Sequence, residues 1–184
     1  FPESQFGCVP GILKTRVGYT GGHKKNPTYR SLGDHTETLQ VEFDPKVTNY
    51  SNLLRVFWDG HDYTQKRSPQ YKSAIFYHSE EQKRLAEESS KEEYNKKKKT
   101  VATDILPADI FYDAEDYHQK YRLRAHNGIL AMLKVNNEEL KDSTIAARLN
   151  GYLGQNGSKK QFDSEIKTFN VPPDIANAVR KVLF

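Results

Sequence analysis

Glu37 is well placed for proton transfer, because this carboxyl group begins a strand that is otherwise apolar on one face. The segment from Glu37 to Phe43 has a period of two, which places Glu37 on the same face as Leu39, Val41 and Phe43. A carboxyl group on an apolar face is partly desolvated, which disfavours its ionised form and raises its pKa. Such an acid donates a proton near neutral pH. The alternative is that the first residue of the strand simply reaches water.

The stretch that leads to this strand, from Gly18 to Glu37, is a polar loop marked by glycines. The chain has 11 Tyr and 9 Phe, and several of them fall inside polar loops such as this one. This pattern predicts a site lined by aromatic rings and hydroxyl groups. For Tyr29 and Tyr71, the residues alone leave ordinary loop packing as the alternative to a role in that site.

The composition limits the classes of function. The chain has 184 residues, enough for one domain with an appendage, and a formal charge of +4. The lysine run at residues 96–99 is interpreted as a solvated helix end, since a nucleic-acid site would interleave basic and stacking aromatic residues and only Tyr94 lies nearby. No segment has the ~20 apolar residues that span a bilayer. We therefore expect no nucleic-acid partner and no membrane association.

Cys8 is the only cysteine, so no disulfide can form within the chain and a reducing compartment is expected. That compartment is the cytoplasm, or the mitochondrion for the full-length protein. Glu115 and His118 have a spacing that recurs in metal sites, but two ligands on one helix do not make a site, and helix packing is expected of His118. Gly21 and Gly22 are not followed by a helix, so no phosphate-binding loop is predicted. We expect no metal and no cofactor.

Periodicity and capping signals predict strands alternating with helices early in the chain and helices alone later. This order favours an α+β fold, a two-layer sandwich in which helices pack on a small mixed sheet, with a helical C-terminal extension. The expected domains are residues 1–122 and the extension, residues 123–184. The strands are expected at residues 12–19, 37–43, 72–78 and 101–106. The helices are expected before Gly11 and at residues 50–59, 80–97, 114–121, 123–134, 138–150, 159–169 and 173–183.

A series of motifs runs along the chain. They are Gly18–Gly22, Asn26–Tyr29, His35–Glu37, Val56–Asp62, Gln70–Ile75, Ser79–Gln82 and Phe111–Tyr121. Together these motifs resemble the A-type peptide methionine sulfoxide reductases. The resemblance extends from about Phe1 to Arg122, in order, and several consecutive motifs are more specific than one short motif. The region around residues 149–153 also resembles the extension of some invertebrate members.

The resemblance implies an oxidoreductase that takes part in protein repair and the response to oxidative stress. Such enzymes reduce the S epimer of methionine sulfoxide, in oxidised proteins or free, back to methionine. A cysteine thiolate attacks the sulfoxide sulfur, and thioredoxin or another thiol later restores the cysteine. Carried onto this chain, the resemblance makes Glu37 the acid that protonates the sulfoxide oxygen. It makes Tyr29 and Tyr71 the hydroxyls that bind this oxygen.

The chain departs from the family pattern at the nucleophile. The family's cysteine lies in Gly-Cys-Phe-Trp-Gly, where a strand turns into the first helix, about three helical turns further upstream of Gly18 than Cys8 is. In the best alignment Phe1 takes the place of the motif's last glycine, so the nucleophilic cysteine precedes residue 1. Cys8 then lies at the far end of the helix, without the dipole that activates a thiolate at the N-terminus. It is interpreted as a small structural residue, with a reactive thiol as the alternative.

The chain is therefore interpreted as a reductase-family domain, truncated at its N-terminus relative to the catalytic motif. The expected function is that of a peptide-methionine (S)-S-oxide reductase, with the activity of this chain itself left open because of the missing nucleophile. The alternative is a non-catalytic protein that binds oxidised methionine or a protein partner through the same pocket.

Overall fold

The computed structural model describes residues 2–184, which divide into two compact units. The first unit contains the residues up to Arg16, together with Leu39–Thr48 and Asp116–Phe184. The second unit contains Val17–Thr38 and Asn49–Glu115. Among the described residues, no helix is both long and apolar enough to cross a membrane.

Five short strands form two small sheets in the described part of the chain, and these with the helices confirm the α+β fold. One sheet has the order β2-β1-β5, so that β2 is an edge strand; the other pairs β3 with β4 in parallel. The expected single mixed sheet is thus divided into two. The strands are β1 (Ile12–Thr20), β2 (Thr36–Phe43), β3 (Ala74–Tyr77), β4 (Asp104–Pro107) and β5 (Tyr112–Asp113).

Two helices of the second unit, α2 (Tyr50–Asp59) and α3 (Glu80–Lys97), have the predicted bounds. Asn49 caps α2 by accepting from the amide of Asn52 at 2.9 Å. Ser79 caps α3, while the side chain of Gln82 accepts from the amide of His78, one residue before the cap. These helices share a core with the parallel strand pair, built from Leu54, Trp58, Tyr63, Ile75 and Ala86.

The first unit is mainly helical. Its core gathers apolar side chains from the C-terminal helices and from the segment after α1, among them Leu149, Phe162 and Val179, each at most 1% exposed. Its helices are α1 (Pro2–Gly7), α4 (Tyr121–Arg124), α5 (Asn127–Leu133), α6 (Asn137–Asp142), α7 (Thr144–Leu153), α8 (Lys159–Thr168) and α9 (Pro173–Leu183).

Helix α1 packs against α7 at a backbone distance that only glycine allows. A Cβ atom on Gly7 would lie 2.2 Å from the carbonyl oxygen of Ala147, and one on Gly151 would lie 2.4 Å from the amide nitrogen of Cys8. Both contacts are with backbone atoms, which cannot rotate away as a flexible side chain could. Any larger residue at either position would therefore push the two helices apart.

Two buried ionic groups hold the first unit together. Lys120, which is fully buried, forms an ion pair of 2.8 Å with Glu3 of α1, and Glu3 also accepts from the Thr15 hydroxyl at 2.9 Å. Arg148 of α7 pairs with Glu165 of α8 at 2.6 Å. The same guanidinium donates to three backbone carbonyls of the segment that follows α1, those of Cys8, Val9 and Ile12.

The helix expected at residues 114–121 is wrong. Asp113 pairs with Gly18 in the antiparallel β1–β5 ladder, and the amide of Ala114 donates to the carbonyl of Val17 at 3.0 Å. This ladder holds the backbone in strand geometry through Asp113, and the bond from Ala114 continues it, so a helix does not begin at Ala114. A short 3₁₀ turn follows at Asp116–His118, and Lys120 has a left-handed φ of 55°, which delays the helix until Tyr121.

Candidate functional site

Glu37 and Tyr71 are held together by a short turn that packs against the start of β2. Tyr71 ends the 3₁₀ turn Pro69–Tyr71. The hydroxyl of Thr36 donates to the carbonyl of Pro69 at 2.9 Å, and the side-chain amide of Gln70 donates to Oε1 of Glu37 at 2.7 Å. Thr36 and Gln70 thus both link β2 to the 3₁₀ turn.

The hydroxyl groups of Tyr29 and Tyr71 lie 3.5 Å apart, although 42 positions separate the two residues in sequence. Both side chains are open to solvent, with exposed fractions of 38% and 51%. The pKa of Tyr71 is raised, first by the hydrogen bond with Tyr29, then by desolvation and by the negative charge of Glu37. The Tyr71 hydroxyl therefore stays protonated at neutral pH and can donate a hydrogen bond. The structure brings Tyr29, Glu37 and Tyr71 into one place.

The loop that presents Tyr29 is fixed by a buried histidine. His35 is 1% exposed, and its Nδ1 accepts from the amide of Gly22 at 3.1 Å. Its Nε2 must then carry the hydrogen, which it donates to the carbonyl of Lys24 at 2.7 Å. Nearer to Tyr29, Thr28 and Ser31 form an isolated bridge, in which the amide of Ser31 donates to Thr28 at 2.9 Å. The loop is thus closed by its own hydrogen bonds on both sides of Tyr29.

The carboxyl group of Glu37 is not desolvated by its strand, so the expectation drawn from the apolar face is wrong. Glu37 is exposed, whereas its neighbour Thr36 is buried. Glu37 is the second residue of β2, so the alternative is confirmed, in which the start of the strand reaches water. The carboxyl group of Glu37 therefore interacts with solvent and with two polar neighbours, Gln70 and Tyr71.

Cys8 belongs to the apolar core of the first unit. It directly follows Gly7, the last residue of α1, and is 2% exposed. Burial raises the pKa of its thiol to about 12, against the opposing charge of Arg148. Because the thiolate is the nucleophile, these surroundings favour the structural interpretation of Cys8.

We expect Cys8 to be almost inert towards a thiol reagent in the native protein. With a pKa of about 12, its thiolate fraction at pH 8 is about 10³-fold below that of an ordinary cysteine. Reaction with 5,5′-dithiobis(2-nitrobenzoate) at pH 8 measures this. The reaction should be slow in native buffer and about 10-fold faster for each unit by which the pH is raised. In denaturant it should be rapid. A native rate equal to that of a small free thiol would contradict the interpretation.

Glu115 and His118 have no third side chain placed with them to hold a metal ion in the described part of the chain. In residues 2–184 there is no group of three or more His, Cys, Asp or Glu side chains arranged to hold a metal ion. The two residues lie on either side of Asp116, where the 3₁₀ turn begins, and not on one helix as expected.

The arrangement around Tyr29 and Tyr71 can bind a small, strongly accepting oxygen atom. The two hydroxyl groups supply O–H donors where negative charge develops on such an oxygen, and the carboxyl group of Glu37 lies beside them. Gln70 and Thr36 were not predicted as part of this site. Their signal in the sequence was that they lie in the motifs Gln70–Ile75 and His35–Glu37, next to Tyr71 and Glu37.

Comparisons with known proteins show which family the chain resembles in sequence and fold. A family model described as peptide methionine sulfoxide reductase matches residues 2–149. A second model, described as the helical domain of selenoprotein methionine sulfoxide reductase A, matches residues 134–180. Two solved structures are similar in fold. They are Mxr1 from Saccharomyces cerevisiae in reduced form and methionine sulfoxide reductase A of Corynebacterium diphtheriae.

The Mxr1 structure has a TM-score of 0.58 and 29% identity, over 64% of this chain and 74% of that chain. The Corynebacterium diphtheriae structure has a TM-score of 0.55 and 31% identity, over 63% and 65%. A peptide methionine sulfoxide reductase of Drosophila melanogaster is 42% identical over 93% of this chain and 71% of its own length. Peptide methionine sulfoxide reductase A5 of Arabidopsis thaliana is 43% identical over 83% of this chain, which spans only 63% of that relative. The chain belongs to the peptide methionine sulfoxide reductase family.

Proposed function

We propose that this chain carries the sulfoxide-binding half of a reductase site that acts on the S epimer of methionine sulfoxide. The observation that supports this most directly is the meeting of the Tyr29 and Tyr71 hydroxyls beside Glu37. The two hydroxyls hold the sulfoxide oxygen, and Glu37 protonates it. Gln70 donates to Oε1 of Glu37, which leaves Oε2 to carry the transferred proton.

The reaction transfers one oxygen atom. A cysteine thiolate attacks the sulfoxide sulfur, the S–O bond breaks as the oxygen is protonated, and the products are methionine and a cysteine sulfenic acid. Two equivalents of an external thiol, or one thioredoxin dithiol, then reduce the sulfenic acid to the thiol and release water. Cys8 is unsuited to the first step because it is buried and its thiol is protonated. The nucleophile is proposed to be the cysteine of a Gly-Cys-Phe-Trp-Gly segment that precedes Pro2.

A second candidate function is binding of oxidised methionine without turnover. The buried state of Cys8, the only cysteine of the sequence, favours this candidate for the chain by itself. Thioredoxin as the reductant, a cytoplasmic or mitochondrial location, and the division into residues 1–122 and 123–184 remain predictions.

Binding of a sulfoxide peptide to the 184-residue polypeptide tests the proposal. We expect the S epimer to bind, and Tyr71→Phe to weaken its binding by about 5- to 10-fold, since one hydrogen bond contributes about 1 kcal/mol. Isothermal titration with separated S and R epimers, and with the unoxidised peptide, measures this.

Tyr94→Phe is the matched control, because Tyr94 is exposed on α3 of the same unit and has no part in the proposed site. Its affinity should equal that of the wild type. Equal affinities for the oxidised and unoxidised peptides, or equal losses in the two variants, would reject the proposed site.

A further inference from the structure

Glu115 joins the proposed site to a buried strand, a role that its position in the sequence did not suggest. One carboxylate oxygen, Oε2, accepts from the hydroxyl of Tyr19 at 2.6 Å. The other, Oε1, accepts from the backbone amide of Tyr29 at 3.0 Å. Both carboxylate oxygens of Glu115 are therefore engaged, one on the strand and one on the loop.

The strand end of this bridge is rigid. Tyr19 lies in β1, is 2% exposed and packs in a buried cluster with Leu32 and Ala114. It is paired with Tyr112 in the antiparallel β1–β5 ladder. Glu115 follows this ladder directly, since Ala114 is itself bonded to the carbonyl of Val17. The carboxylate thus projects from backbone that the sheet already holds.

The loop end of the bridge is Tyr29, which is exposed and bears one of the two hydroxyls of the proposed site. Tyr29 is 38% exposed, so packing alone does not fix its backbone. Its hydroxyl is at the far end of the side chain, where a small rotation of the backbone is magnified. The donors of a binding site must hold their geometry within about 0.5 Å, and a misplacement of about 1 Å costs much of their effect.

We propose that Glu115 is a positioning residue, which fixes the backbone of Tyr29 and thereby sets its hydroxyl opposite that of Tyr71. This inference rests on the proposed function, because it assigns a task to Glu115 within the same site. The charge of a carboxylate makes its bond to the Tyr29 amide stronger than that of a neutral acceptor. Tyr19 completes the support by holding the second oxygen, so that the carboxylate keeps one orientation.

The test uses the 184-residue polypeptide with Glu115→Gln and Tyr19→Phe. Glu92→Gln is the matched control, since Glu92 is an exposed acid on α3 and its replacement removes the same charge. Hydrogen exchange of the Tyr29 amide, followed by ¹⁵N NMR, reports the contact itself. We expect protection in the wild type and in Glu92→Gln, and at least 10-fold faster exchange in Glu115→Gln.

The affinity for the S-sulfoxide peptide reports the consequence. We expect Glu115→Gln and Tyr19→Phe each to weaken binding by about 3- to 10-fold. In a Tyr29→Phe background, Glu115→Gln should have no further effect, because the hydroxyl that it positions is gone; this non-additivity separates positioning from a general structural role.

Three results would decide against the inference. They are an unchanged Tyr29 exchange rate, an unchanged affinity in Glu115→Gln, or an equal loss with and without the Tyr29 hydroxyl. If the wild type binds the sulfoxide and Tyr29→Phe weakens it, any of these rejects the role of Glu115 alone. If wild-type protein and every variant fail to bind the sulfoxide, the proposed function is rejected, and the positioning role with it.

Discussion

Glu37→Gln is expected to slow reduction of the S sulfoxide by about 10²- to 10³-fold in a protein that also supplies the nucleophile. Such a protein is a chimera in which a segment ending in Gly-Cys-Phe-Trp-Gly replaces Phe1. The oxygen leaving sulfur gains negative charge as the S–O bond breaks, and a positioned general acid contributes about 10²- to 10⁴-fold. Glutamine keeps the shape of Glu37 and its bond to Gln70 in part, but it has no proton to transfer.

Initial rates with separated epimers and dithiothreitol measure this effect. Glu42→Gln is the control, because Glu42 is an exposed acid on the same strand and lies outside the site. The unmodified polypeptide should consume neither epimer. Consumption of the S epimer by that polypeptide would show that Cys8 is reactive and that the alignment of α1 is wrong, whereas an undiminished rate in the Glu37→Gln chimera would remove the acid role.

Lys120→Met is expected to lower the free energy of unfolding by about 3–5 kcal/mol, the usual cost of leaving a buried charge without its partner. The carboxylate of Glu3 would remain buried, at 5% side-chain exposure, and among residues 2–184 would keep the Thr15 hydroxyl and the backbone amide of residue 120 as donors. The destabilisation comes from this uncompensated charge and not from lost volume, because methionine fills most of the space of lysine.

Urea unfolding followed by circular dichroism gives the free energies. Lys159→Met is the control, since Lys159 forms an exposed ion pair of 2.9 Å with Asp163 in the same unit, and such pairs contribute about 1 kcal/mol or less. The double variant Glu3→Gln with Lys120→Met should regain much of the loss, because it removes both charges. A Lys120→Met protein as stable as the Lys159→Met protein would disprove the assignment.

Local signals were enough to predict several elements of the fold. The apolar positions of α2 recur at helical spacing, and α2 begins and ends where that pattern does. The same holds for α9, which starts after Pro172 as expected. Periodicity singled out Glu37, whereas the roles of Tyr29, Glu37 and Tyr71 came from the motifs of the family resemblance. The positions of Tyr29, Glu37 and Tyr71 in the sequence do not predict how close the three side chains lie. The hydroxyls of Tyr29 and Tyr71 are 3.5 Å apart.

The errors arose where contacts distant in sequence decided the outcome. The segment at residues 114–121 has helical signals, yet pairing with β1 holds its start in strand geometry. The exposure of Glu37 depends on the surroundings of the start of β2, which the strand's own alternation cannot reveal. The burial of Arg148 was likewise not predicted: it is 3% exposed because its partners come from α8 and from the segment after α1.

The packing of α1 against α7 has a consequence for the order of folding. The bond from Arg148 to the carbonyl of Cys8 spans 140 residues, and the bond from Lys120 to Glu3 spans 117. A ribosome therefore releases α1 long before it makes the surface on which α1 rests. Closing such long loops is slow, so a nascent chain must keep α1 unpaired until α7 emerges. In this fold, α1 is therefore made before α7 but can be completed only after it.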